Sequence, residues 1–134
     1  MTVIVCTESR GGMLFLGRRV GRDRRILADI AEMEGRLLCH PFSEKYLESA
    51  GLAPEVDAAL LDRAGEGDIC FIESLPLAPH ASRIDRLIRY SFGTRYPYDF
   101  ALDLDPIAAG LRLVSTLEFP GHAHNIITKE IYER

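Results

Sequence analysis

The stretch FLGRRVGRDRRILADI, Phe15 to Ile30, sets five arginines into the eight residues from Arg18 to Arg25, around a single acid, Asp23. Guanidinium groups are planar forks that grip phosphate or carboxylate through paired hydrogen bonds, so Arg18, Arg19 and Arg22 are candidates for holding the anionic part of a ligand. Asp23 precedes Ile26, Leu27 and Ile30 by three, four and seven residues, a spacing that puts it on the inward stripe of a helix. A carboxylate there has two readings. It is an acid at a helix start, gaining from free backbone donors and the helix dipole, or it is a pocket acid that positions or protonates a ligand. The arginines carry a matching pair of readings: an anion site, or a solvated helix start with pairs such as Arg19–Asp23 and Arg25–Asp29.

The local charge of this segment is +4 in a chain of net −4, so the remainder carries −8. With a pI near 5.5, that polarisation disfavours a general nucleic-acid binder, whose basic residues spread along a face, and favours a focused anion site. A second acid, Glu73, follows the apolar row Ile69 to Ile72. Ligands gather beyond the carboxyl ends of such strands, and Glu73 is the second catalytic candidate beside Asp23. His122 and His124 in GHAH alternate as metal ligands on a strand do, but Asn125 and Ile126 follow. The His-x-His-x-Asp-His cluster of a zinc-dependent ribonuclease Z is therefore not completed, and no metal site is expected. Cys6, Cys39 and Cys70 lie far apart in apolar runs, as small hydrophobes rather than a redox pair or a disulfide framework.

These groups must be positioned by one domain, 1–134, since the length suits a single core and no repeat or linker divides it. Thr2 to Cys6 reads as a buried strand and Arg22 to Glu34 as a helix stopped by Gly35. Arg36 to His40 reads as a second strand, followed by a helical turn near Ser43. Pro54, the acids Glu55 and Asp57, and Gly65 frame a second amphipathic helix. Asp68 to Ile72 is a central strand covered on both faces. Leu87–Phe92, Leu111–Phe119 and Ile126–Tyr132 complete the strands. In Leu111–Phe119 the odd-numbered residues, mostly leucine, alternate with more polar neighbours, which predicts one wet face. The sum is an α/β sandwich of two or three layers, with a mixed, mostly parallel sheet and a C-terminal antiparallel pair.

The opening TVIVC, the polar turn, Gly12 and Met13, the aromatic Phe15 and an acid on the first helix resemble the start of dihydrofolate reductase. In that family a Gly followed by an apolar residue ends the first loop, and the substrate-binding acid lies on the first helix. The resemblance implies that role for Asp23, with Met13 and Phe15 beside the ligand. IDRLIRYSF resembles the strand after the cofactor-binding turn, YPYDF the aromatic-proline segment after it, and GHAHNIITKEIYER the terminal strand. The chain departs from the family at the Gly-Gly turn that approaches the nicotinamide cofactor, where it has FIESLP. It departs again where HPFS replaces the Gly-Arg-x-Thr segment, and it has no Trp.

The expected function is thus a small cytoplasmic domain, similar to a minimal dihydrofolate reductase, that binds a small anionic or heterocyclic ligand near Asp23. That ligand would be nucleotide- or pterin-like, with the cofactor left unknown. If the chain is an enzyme, the resemblance implies a reductase. The competing expectation is a non-enzymatic interaction protein whose Arg18 to Arg25 segment docks an acidic partner or RNA, and whose exposed sheet edge pairs two copies as a homo-oligomer. No apolar run is long enough to span a bilayer, and none has the form of a leader peptide.

Overall fold

Thr2–Thr7 is a β-branched run whose alternate side chains must both find cover, and it becomes the inner strand β1. The chain, described over residues 1–134 by a computed structural model, continues through β2 (Gly12–Phe15), β3 (Arg18–Arg19), α1 (Arg24–Ala31), β4 (Leu37–Cys39), α2 (Glu44–Glu48) and β5 (Glu55–Val56). Then follow α3 (Leu60–Arg63), β6 (Ile69–Phe71), β7 (Arg86–Ser91), β8 (Phe100–Ala101), β9 (Arg112–Phe119) and β10 (Ile127–Glu133). Seven strands form one sheet in the order β5-β4-β6-β1-β7-β10-β9, and β3-β2-β8 form a small second sheet. The pairs from β5 through β7 are parallel, while β10 runs antiparallel to both β7 and β9. No helix is long and apolar enough to cross a membrane.

Both faces of this sheet are covered, as continuous apolar strands require. Val3 and Val5 point into a cluster with Leu60, Leu61, Cys70, Ile72 and Leu87. Ile4 points the other way, to Ile26, Leu27 and Ile30 of α1 and to Phe71, Ile88 and Tyr90. The stripe expected on the first helix is therefore the face that α1 buries. Its N-terminus lies two residues later than expected, because Asp23 is extended and caps the helix rather than joining it.

Two expectations fail for identifiable reasons. The helix read over Pro54–Gly65 is a helix only at Leu60–Arg63, because Glu55 and Val56 pair in parallel with Leu38 and Cys39 as the edge strand β5. Arg36 fixes that edge by reaching Glu55 at 2.9 Å and Asp68 at 2.6 Å. Along β9, the register runs from Ile131 opposite Ser115 directly to Tyr132 opposite Leu113, so Val114 is an inserted residue. A bulge breaks the alternation. Leu113, Val114 and Leu117 are all exposed, so this outer strand has no single buried face.

The β2–β3 hairpin turns on Leu16 (φ 50°) and Gly17 (φ 73°). Two-residue hairpins need this positive φ, but a leucine enters it at a steric cost that glycine avoids. Leu16 is 75% exposed, so little packing compensates. Leu16→Gly should raise stability by about 0.5–1 kcal/mol in thermal unfolding; a fall would show that the exposed side chain contributes packing.

Candidate functional site

At the carboxyl ends of β1 and β6 the chain gathers three buried carboxylates, those of Glu8, Asp23 and Glu73. Buried charge requires partners, and each of the three has found them within the chain. Glu8 accepts from the backbone N–H groups of Arg10 and Gly12, each at 2.7 Å, and from the Arg10 guanidinium at 3.1 Å. Although burial opposes it, these donors hold its carboxyl below the usual range.

Asp23 is the most heavily bonded. Its Oδ1 accepts from the N–H of Arg25 at 2.9 Å, the capping bond of α1, and from the N–H of His122 at 2.8 Å. Its Oδ2 accepts from the N–H groups of Ala123 (2.9 Å) and His124 (3.2 Å) and lies 2.9 Å from His124 Nδ1. Desolvation raises its pKa, but the His124 ring and the backbone donors outweigh it and bring the carboxyl down to about 2. Gly121 permits this close approach, since a Cβ there would stand 2.6 Å from Asp23 Oδ2. The imidazole of His124 stacks on Phe92 with centroids 4.6 Å apart, and its Nε2 lies 3.1 Å from the Tyr96 hydroxyl. Asp23 thus ties the start of α1 to the loop before β10, and His124 is a hydrogen-bonded structural histidine.

Glu73 receives Arg19 as a fork, with Nε donating to Oε2 at 2.8 Å and Nη2 to Oε1 at 3.0 Å. Ser43 Oγ donates to the same Oε1 at 2.7 Å. The Arg19 guanidinium also lies over the rings of Phe42, at 5.2 Å, and Tyr46, at 4.3 Å. HPFS is built for this contact: His40 Nδ1 accepts from the Phe42 N–H and caps a short 3-10 turn over Pro41–Ser43, which presents Phe42 and Ser43 to the carboxylate. The Tyr46 hydroxyl accepts from the N–H of Asp23 at 3.2 Å, and burial pushes its pKa up.

The structure thus pairs Arg19 with Glu73 and leaves the expected Arg19–Asp23 pair unmade, while Arg25 does lie 3.9 Å from Asp29. Arg18, Arg19 and Arg22 share a cleft of about 440 Å³ with Gly17 and Phe42. Arg22 stands 5.7 Å over the Tyr46 ring, and neither Arg18 nor Arg22 forms an ion pair. Two of the expected ligand neighbours are elsewhere. Met13 is buried in the cluster on the opposite face of the sheet, because β2 crosses that side. Phe15 is 40% exposed on β2 and pairs with Arg18 without lining the cleft.

Sequence reasoning missed Ser43, Phe42, Tyr46 and the His124–Asp23 contact. It also missed Asp103, whose carboxylate accepts the N–H groups of Leu77 (2.7 Å) and Ala78 (3.1 Å) as the chain enters a 3-10 helix over Ala78–Arg83. A local signal existed only for His40 and Ser43, in the His-Pro-x-Ser turn. Burial raises the thiols of Cys39 and Cys70 to about 11 and pushes that of Cys6 up as well.

No family model matches the sequence, and no curated protein matches it. Among solved structures the chain is similar to a dihydrofolate reductase from Enterococcus faecalis, described in complex with NADP(H) and RAB-propyl. The TM-score is 0.67, over 99% of this chain and 95% of that one, at 15% identity. The chain thus has the dihydrofolate reductase-like fold.

Proposed function

We propose that the chain is a binding domain for a small phosphate- or carboxylate-bearing ligand, gripped by Arg18 and Arg22 in the cleft that Phe42 walls. The observation that carries this reading is the pair of guanidinium groups left without a carboxylate on a cleft of about 440 Å³. Several arginines of this chain lack an acidic partner, but Arg18 and Arg22 line one cleft together, and two such guanidinium groups on a shared concave surface mark a place for an external anion. The aromatic wall suits a nucleotide- or pterin-like ring as the ligand's body. Asp23 and Glu73 serve as positioning residues. Asp23 fixes the helix start beside Arg22, and Glu73 fixes Arg19 as the cleft's floor.

A nicotinamide dinucleotide does not fit the turn after β6. That turn holds the Glu73 carboxylate where close backbone approach needs glycine. The backbone N–H groups of Leu77 and Ala78, next along the chain, are already taken by Asp103.

Thermal unfolding at low ionic strength with phosphate, pyrophosphate, a nucleoside monophosphate and folate tests the reading. Saturable stabilisation is expected from at least one of them, about 2.7 kcal/mol at a hundredfold excess over Kd. Arg18→Glu/Arg22→Glu should abolish it without lowering the unliganded midpoint by more than about 2 °C, since both side chains are exposed. A wild type that responds to none of these anions overturns the proposal.

A further inference from the structure

Glu73 is only 6% exposed, and its forked partner comes from a short strand at the margin of the fold. Arg19 belongs to the two-residue strand β3, at an outer position of the small sheet, held by the Leu14–Arg19 and Phe15–Arg18 register and by the Val20 N–H, which donates to the Met13 carbonyl at 3.1 Å. The turn that delivers it has a leucine at φ 50°. Everything else about the carboxylate is firmly held. Ser43 Oγ, fully buried, orients Oε1 from one side. Phe42 and Tyr46 offer ring faces at 5.2 and 4.3 Å from the guanidinium carbon. A carboxylate with two parallel lone-pair directions, an orienting hydroxyl and aromatic walls is complementary to a flat, delocalised cation and poorly matched to an ammonium, which is a compact point charge.

We propose that Glu73, Ser43, Phe42 and Tyr46 form a receptor for a planar guanidinium- or amidinium-type cation, which Arg19 fills from within the chain. A ligand bearing such a group enters from the Arg18–Phe42 cleft when the β2–β3 hairpin withdraws Arg19. In the wild type the tethered side chain is present at a high effective concentration and outcompetes a free cation. This proposal stands apart from the anion reading, because its probes carry no negative charge.

The test uses the full chain with Arg19→Ala, checked for folding by circular dichroism, and thermal unfolding with benzamidine or methylammonium chloride at equal ionic strength. Millimolar benzamidine should raise the midpoint of Arg19→Ala saturably by about 5 °C, and methylammonium should not. Arg19→Ala/Glu73→Gln should bind benzamidine at least about tenfold more weakly. Equal response to both cations, no response, or an unchanged response in the double variant overturns the proposal. Should the alanine variant fail to fold, Arg19→Lys replaces it. There benzamidine must displace an ammonium and raise the midpoint above any change in the wild type, and the absence of that rise has the same meaning.

Discussion

Arg19→Ala is expected to destabilise the protein by about 3–5 kcal/mol, because it strands a carboxylate that is almost wholly buried. At this chain length that corresponds to a fall of about 11–18 °C in Tm. Glu73→Ala should cost less. It strands a guanidinium that lines an open cleft and can turn outward, together with the Ser43 hydroxyl, which loses its acceptor. The double variant Arg19→Met/Glu73→Leu should recover most of the loss, since it leaves no buried charge unpaired. Urea unfolding of the four proteins measures these differences. A double variant no more stable than Arg19→Ala would mean that the ion pair is not the unit of stability.

The second large effect concerns Asp23, whose removal deprives five donors of their acceptor. Asp23→Ala should cost about 3 kcal/mol: about 1 for the helix cap and the rest for loop N–H groups that recover only partly with water. Asp23→Asn should be similar, since its amide places N–H against N–H. The acid also sets a pH dependence. Its folded pKa, about 2, lies below the ordinary value of 3.8, so the unfolded chain takes up the proton first. The stability it contributes is complete above about pH 4 and is lost as pH falls through 2. Its share is about 2 kcal/mol. Glu8 and Asp29, whose carboxyls are likewise lowered by hydrogen-bond donors, add to the same acid limb. Wild type followed by circular dichroism between pH 6 and 1.5 should therefore unfold more steeply on acidification than Asp23→Asn. Parallel curves would remove Asp23 from the acid transition.

What the sequence carried, it carried where neighbours along the chain decide the outcome. The runs at Thr2–Cys6, Leu37–Cys39 and Ile69–Ile72 are strands because their side chains demand cover on both faces, and Asp23 is buried because it stands in line with Ile26, Leu27 and Ile30. Pro54–Ala59 has the composition of a helix start, yet pairing with β4 decides its conformation, which no local spacing encodes. The bulge at Val114 is likewise a property of two strands together. In the site, the inward position of Asp23 followed from the pattern, but the burial of Glu73 and the partners of both acids did not. Arg19 meets Glu73 across 54 residues, and His124 meets Asp23 across 101. The arginine-rich segment suggested an anion because an anion was needed, and the protein itself supplies it for Arg19.

The order of the sheet also bears on how the chain comes to be folded during synthesis. β10 follows both β7 and β9 in the chain, yet it lies between them. Until Ile127–Glu133 has left the ribosome, one edge of β7 is open and β9, with its exposed leucines, has nothing to pair with. The seven-stranded sheet therefore closes only after translation of this segment ends, through contacts distant in sequence, which form slowly. A nascent chain stalled before Ile127 is the species that chaperones must shield.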